Sequence, residues 1–542
     1  MGKSKRVPNH GRAFSTARFS PGASGKPYHG TLPGGKCFRE KGRIPGIARV
    51  LWLLAFLVVA QWEIPSCRAA SRTPQSSLYP LSKIPLTKGR LASLPASRGP
   101  VHMGIGEAEI QPVRLILDSP PEEEVQATLE PAGWEHALEV SLWKAEWVPG
   151  SEGNRGRVPD ILVPVEFASP MVFSETDNLL FLKIKSLPNS AGFYELMLTL
   201  SGETTSLKSK VLVHVHNVPI SLPNLLIQGC LKEDKSFDLI EFLRDYGFTG
   251  ICGVSTEWHV RRRPEGFKKL CDRILSLGYK AIRIPNKTMY GHRRAFPYPD
   301  SADGYKQWLR DEVDYLNNLD DLLQDKKYRD VFSFRCWDEP QADQYNQVYN
   351  TSRLIKENQP NLRLELTEPP DSGLSPYVDT WSLNIRYLDR PTVLEAKTGG
   401  KKCILYANSL HGVNRKSYTY DMRAIGYLLW KFRLDGYYFW GLNDWEGDVQ
   451  EMSTTGAPRE YKRGILLYRL EDSGKIVPSL RLELFRDGLE DLSLLKYIAG
   501  KGEFKGLRKE IHRKLKTFQM VDKQAVVPDM TKYHHRILSL IP

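Results

Sequence analysis

Acidic residues are nearly missing from the first 100 positions, where 17 Lys and Arg face only Glu40 and Glu63. The formal charge of +13 therefore belongs to this leader, because the remaining 442 residues balance to −2. A near-neutral body offers no basic groove for phosphates, which excludes nucleic acid as the partner. Cysteine is scarce: five lie beyond the leader (Cys230, Cys252, Cys271, Cys336 and Cys403), and none forms a CxxC or a zinc spacing. They read as buried thiols within strands. Long hydrophobic runs are confined to one stretch, Val50–Ala60, eleven residues against the about 20 that span a bilayer. What is plentiful is core material, 41% hydrophobic and 10% aromatic residues over 542 positions. That rules out a disordered chain and points to several domains.

The first 70 residues read as a basic n-region with a signal peptide or signal anchor. Small residues at Cys67-Arg-Ala-Ala70 offer a cleavage site; an uncleaved type II anchor would extend the run through Trp62. Both place the protein in the secretory pathway, secreted, luminal or membrane-anchored through the apolar segment, and an organelle transit peptide is the alternative. Residues 71–104, rich in Pro and Ser, read as a flexible stalk. Two glycosylation sequons, Asn286-Lys-Thr and Asn350-Thr-Ser, are compatible with secretion.

From 105 to 222, short apolar runs are separated by Pro and Gly. Tyr194–Leu200 and Val211–Val215 alternate with period two, the pattern of an N-terminal β-sandwich. His214 and His216 share a strand face, but no third ligand is near, so a structural role is expected and no metal. From 223 to 500 the rhythm becomes strand, helix, strand. Strands are expected at Leu225–Cys230, Phe248–Val254, Ala281–Asn286, Val331–Trp337, Leu362–Thr367, Thr380–Ile385, Cys403–Asn408 and Gly436–Leu442. Eight such units give a (β/α)8 TIM-type barrel with a C-terminal extension, and residues 501–542 read as a basic helical tail with a solvated charged face.

Reactive groups of such a barrel sit at the C-terminal ends of its strands. Here those ends carry Glu257 and Trp258, Asn286 and Tyr290, Trp337-Asp338-Glu339-Pro340, Glu368, Asn384 and Tyr387, Asn408, and Trp440, Asn443, Asp444 and Trp445. Aromatic rings with amides and acids suit an uncharged, hydroxyl-rich ligand such as a sugar. Asp338 and Glu339 are neighbours at a strand end running into proline, so both can turn into the mouth, and their Cα atoms are ~3.8 Å apart. A two-carboxylate glycosidase needs groups flanking the ring, usually from separate strands, yet strand seven ends in Asn408-Ser409. An adjacent pair better fits substrate-assisted hydrolysis: Asp338 orients a 2-acetamido group, while Glu339 acts as acid and base. Asn384, Tyr387, Trp440, Asn443 and Trp445 are the expected sugar-binding residues, and no cofactor is called for. Two alternatives stand beside this: a glycosidase for plain sugars using Glu339 with Glu368 or Asp444, and a catalytically silent glycan-binding protein.

Three segments carry a family resemblance: Phe334-Arg-Cys-Trp-Asp-Glu-Pro340, Tyr427–Trp440 and Val477-Pro-Ser-Leu-Arg-Leu-Glu-Leu-Phe-Arg-Asp-Gly-Leu-Glu-Asp491. They resemble glycoside hydrolase family 123, N-acetyl-β-galactosaminidases among them. Arg157–Leu162 and Asn189–Tyr194 resemble its N-terminal sandwich, and Arg469-Leu470 stands where the family pattern has Pro-Gly. The resemblance implies a sandwich followed by a catalytic barrel, exo-acting and retaining, removing terminal β-linked N-acetylgalactosamine through an oxazoline. It also implies the acetamido-orienting role for Asp338 and the acid/base role for Glu339.

Overall fold

The structure is a computed structural model. It describes residues 76–80 and 101–541, apart from 118–122, 131–132, 150–156, 174–178, 205, 233–234, 287–288, 291–301, 336, 408–409, 411–417, 444–464, 471–472 and 522–523. The leader and its apolar run lie outside the described residues. Among the described residues no helix is long and apolar enough to cross a membrane.

The first part of the described chain forms two five-stranded sheets. One runs in the order Ser76–Pro80, Ile110–Leu117, Leu179–Ser186, Leu138–Pro149, Arg157–Val165; the other Val101–Glu107, Ser206–Pro219, Gly192–Ser201, Val125–Glu130, Pro170–Met171. Alternation sets their faces. Leu196, Leu198 and Leu200 from one strand and Val211, Val213 and Val215 from its neighbour are buried in a core shared with Leu180, Leu182 and Ile184 of the other sheet. The intervening side chains point away. On the other face of the first sheet, Ala145, Leu162, Leu179 and Phe181 join the core of the barrel. One strand falls within the stretch expected to be a stalk, and a second begins in it. Ser76–Pro80 pairs antiparallel with Ile110–Leu117, and Val101–Glu107 pairs parallel with Ser206–Pro219. Backbone pairing outweighs the polar composition there.

Eight parallel strands close the barrel: Leu226–Cys230, Gly250–Cys252, Ala281–Arg283, Phe332–Phe334, Arg363–Leu366, Thr380–Asn384, Lys402–Tyr406 and Gly436–Phe439. Seven lie inside the expected runs and the other, Lys402–Tyr406, begins one residue ahead of its run; strands five and six are joined by turns without a helix. The helix Tyr418–Phe432 crosses the helix Leu480–Tyr497 at two glycines. A Cβ on Gly426 would lie 1.8 Å from the Gly488 carbonyl oxygen, so only glycine allows this approach.

The helix Leu480–Tyr497, capped by Ser479, is buried over most of its length and carries charges on several sides. Arg481 holds Asp160 at 2.7 and 2.9 Å, and Glu483 accepts from Lys183 (2.8 Å) and Tyr246 (2.6 Å). Asp491 pairs with Arg423 and with His534. Buried charges must be paired, and here the partners come from a sheet strand, a barrel helix and the C-terminal segment. Residues 501–542 are therefore no detached tail. Lys and Arg of the helix Lys505–Leu515 face outward as expected, but Leu507, Ile511 and Leu515 are buried. The helix Lys532–Leu538 buries Tyr533, His534, Ile537 and Leu538.

Two more expectations change. Cys230 and Cys252, side by side on barrel strands one and two, form a disulfide, whereas Cys271 and Cys403 are buried thiols. Asn286 donates its side-chain Nδ2, the atom a glycan would need, to the Arg335 carbonyl oxygen at 2.7 Å. His214 stacks between Phe193 and His216, with ring centroids 3.9 Å from each. No group of three metal-ligating side chains occurs among the described residues.

Candidate active site

The fourth barrel strand ends at Phe334, and the chain then runs through buried Arg335 to a short pairing of Trp337–Asp338 with Met289–Tyr290. Trp337 is fully buried with its ring edge-on to Trp308, which fixes the exit direction. Glu339 takes φ = 47°. A side chain in this left-handed region costs of order 1–3 kcal/mol and persists only where the surroundings enforce it. The turn sends the two adjacent carboxylates to different partners. Asp338 Oδ1 lies 3.5 Å from Arg335 Nη1. Glu339 Oε1 accepts a hydrogen bond from the hydroxyl of Tyr406, the last residue of strand seven.

Beneath them lies a polar layer inside the barrel. Arg335 pairs with Glu365, which also lies 3.8 Å from Arg283. Arg283 donates to the Tyr438 hydroxyl (3.0 Å), and Arg335 lies 4.1 Å from the centre of the Tyr438 ring. Burial would raise the Tyr438 pKa, but the Arg283 and Arg335 charges outweigh it and bring it below its ordinary value. The Cys230–Cys252 bridge shares this floor with Ile404, Tyr406 and Tyr438, and Arg283 Nη2 reaches Cys230 Sγ at 2.8 Å.

Glu368, just beyond strand five, accepts from the Tyr345 hydroxyl at 3.0 Å. Burial raises its pKa to about 7; the nearby Glu339 charge adds to this, while Tyr345 and Arg386 oppose it. Three carboxylates thus converge on the mouth from strands four and five.

The other expected residues are placed as follows. Trp440 packs on the cluster of Cys230, Tyr406 and Tyr438, with Lys232 Nζ 5.4 Å from its ring centre. Tyr387 is 36% exposed, with Arg386 over its ring. Asn384 caps a short 3-10 turn by accepting from Arg386 N at 3.1 Å. Asn443 is fully buried, and its Oδ1 accepts the Lys232 backbone N–H at 2.8 Å, so that oxygen holds the loop after strand one rather than facing the mouth. Glu257 is buried and paired with Arg261. Trp445, Asp444 and Asn408 lie outside the described residues, as do the side chains of Trp258 and Tyr290.

Residues 240–498 match the family model of the glycoside hydrolase 123 catalytic domain. The barrel belongs to glycoside hydrolase family 123. The chain is also similar in structure to a family 123 glycoside hydrolase from Clostridium perfringens, described for glycolipid glycan hydrolysis. The TM-score is 0.65 at 12% identity, over 86% of this chain and 98% of that one. A more remote likeness, TM-score 0.32 at 16% identity over 50% of this chain and 77% of that one, is to an endo-β-1,4-mannanase from Thermotoga petrophila. No curated protein sequence matches the chain.

Within this family 123 barrel, sequence reasoning overlooked Arg283, Arg335, Glu365, Tyr345, Tyr406 and Tyr438. The available signal was charge inside apolar strands. Arg335 and Glu365 interrupt runs that otherwise read as fully buried, and a charge there needs a partner from a neighbouring strand.

Proposed function

We propose that this glycoside hydrolase removes terminal β-linked 2-acetamido sugars, N-acetylgalactosamine foremost, by substrate-assisted hydrolysis with retention. The observation that carries the reading is the pair Asp338–Glu339 at one strand end with separate partners, while strand seven closes on Tyr406 rather than a carboxylate. Glu339 donates its proton to the glycosidic oxygen as the acetamido oxygen attacks the anomeric carbon. Asp338 accepts the acetamido N–H and offsets the charge that develops on the oxazolinium ring. Glu339 then takes a proton from the water that opens the ring, so two inversions give net retention. Arg335 Nη1, 3.5 Å from Asp338 Oδ1, orients the carboxylate for this role. Tyr387 and Trp440 serve as apolar walls for the sugar.

Aryl β-N-acetylgalactosaminide and β-N-acetylglucosaminide substrates test this directly: release from the first, and inhibition by an oxazoline-mimicking thiazoline, are expected. No release from either overturns it. One observation favours a second reading, with Glu368 as the partner carboxylate of Glu339, since the two charges sense each other across the mouth. A carboxyl with a pKa of about 7 is only partly ionised at neutral pH, however, which makes it a weak nucleophile. Comparable hydrolysis of a plain β-galactoside would support that reading.

We read the two N-terminal sheets as an accessory β-sandwich and place the protein in the secretory pathway. The Cys230–Cys252 disulfide supports an oxidising compartment. N-terminal sequencing of the mature protein tests the location. Glycan mapping should find Asn350, which is exposed, occupied and Asn286 bare.

A further inference from the structure

At the opposite end of the barrel, where the strands begin, a cavity of about 350 Å³ opens between Lys280, Ser333, Arg363, Thr380, Lys402 and Asp435. Arg363 opens strand five and Lys402 opens strand seven, on either side of Thr380, which opens strand six. The Arg363 Nη2 atom is buried without a hydrogen-bond partner. Among the described residues neither Arg363 nor Lys402 forms an ion pair.

The acids nearby make their direct hydrogen bonds and ion pairs with other groups. Asp435 accepts from Lys397 Nζ and from the Cys403 backbone N–H, both at 2.8 Å. Glu365 belongs to Arg335 and Arg283. Asp379 accepts from the Leu364 N–H at 2.8 Å and pairs with Lys356 at 2.7 Å, and Asp330 pairs with Lys326. Lys280 donates to Asn224 Oδ1 at 2.6 Å. Partial burial and the neighbouring Arg363 guanidinium lower the Lys402 pKa against the opposing charge of Asp435, and burial lowers that of Arg363 against Asp330 and Asp379. Two cations that repel each other, in one cavity, are stabilised by an anion between them.

We propose that this cavity binds a small organic oxyanion, a phosphate or sulfate monoester, between the Arg363 guanidinium and the Lys402 ammonium. A guanidinium fork matches two oxygens of a tetrahedral anion, and an ammonium adds a point charge. The cavity is of the size that takes small molecules and is larger than a bare inorganic anion needs. The Ser333 and Thr380 hydroxyls line the remainder and suit a hydroxylated body. The site lies at the barrel end opposite Asp338 and Glu339, so it is no part of the catalytic mouth.

Isothermal titration of the full chain with galactose 6-phosphate, galactose 6-sulfate, inorganic phosphate, inorganic sulfate and neutral galactose tests this. Saturable binding of at least one ester is expected, with the phosphate and sulfate arms showing which anion is preferred. Affinity should fall about tenfold or more in Arg363→Met and in Lys402→Met, the loss of a charged hydrogen bond in each. Melting curves of the ligand-free variants verify folding; Lys402 lies on an exposed strand end, so its variant keeps the test valid if Arg363→Met does not fold. The proposal is overturned by the absence of saturable ester binding at millimolar concentration, by unchanged affinity in both variants, or by inorganic anions binding as tightly as the esters.

Discussion

Replacing Arg335 by Met separates the positioning of Asp338 from the stability of the barrel. The guanidinium is 2% exposed, lies 3.5 Å from Asp338 and also pairs with Glu365. At that distance two charges interact by about 4–5 kcal/mol at an effective dielectric of about 20. Asp338, at 24% side-chain exposure, keeps some hydration that screens the pair. A loss of about 2–3 kcal/mol in the transition state is therefore expected, or roughly 10²-fold in kcat. The same substitution leaves Glu365 buried with Arg283, 3.8 Å away, as its remaining ion-pair partner among the described residues, which costs about 3–5 kcal/mol of stability. Adding Glu365→Gln removes that stranded charge, so the double variant Arg335→Met/Glu365→Gln should regain most of the melting temperature but not kcat. Steady-state kinetics on an aryl β-N-acetylgalactosaminide beside thermal melts reads both quantities. A kcat within twofold of wild type in Arg335→Met, or kcat restored together with stability in the double variant, would refute the positioning role.

Glu368→Gln should flatten the dependence of stability on pH. Between the ordinary carboxylate range and about 7 the folded protein holds a proton that the unfolded chain has released, so stability falls as pH rises through that window. Melting curves from pH 5 to pH 8 should show wild type losing ground to the variant toward the alkaline end, and parallel curves would contradict this. Reduction, or Cys230→Ser with Cys252→Ser, opens a loop of 22 residues and should lower stability by about 3 kcal/mol, measured by denaturant unfolding. Equal stability of the oxidised and reduced chains would dispute the cross-link. Gly426→Ala forces the helices Tyr418–Phe432 and Leu480–Tyr497 apart and should cost ~1–3 kcal/mol or more; a melting temperature within a degree of wild type would refute the backbone contact.

The barrel was legible in the sequence because each strand is a short apolar run bounded by turns, and the helices between them carry stripes three residues apart. Strand ends were expected up to three residues beyond where the strands stop, yet they still pointed to Asp338, Glu339 and Glu368. What the sequence hid were partnerships between distant residues. Val477–Asp491, the most specific stretch of the family resemblance, leads into a buried ionic helix whose partners Asp160, Lys183, Arg423 and His534 are far apart in the chain. Periodicity reports which face is apolar, not which charge meets which. The C-terminal residues looked like a solvated tail because their Lys and Arg outnumber the buried leucines and isoleucines that anchor them. Asn443 and Asn286 looked available to ligands because an amide in a loop carries no local sign that a backbone group will claim it.

The division of labour between Asp338 and Glu339 is tested most directly by leaving-group dependence. Wild type, Asp338→Asn and Glu339→Gln are compared on aryl β-N-acetylgalactosaminides whose phenols span good to poor leaving groups. Glu339→Gln should retain far more activity on good leaving groups, which need little protonation, and lose about 10²–10⁴-fold on poor ones. Asp338→Asn should slow both alike, because the acetamido attack is weakened whatever departs. Equal falls across leaving groups in both variants would contradict the assigned roles, and full activity in both would remove the pair from the chemistry.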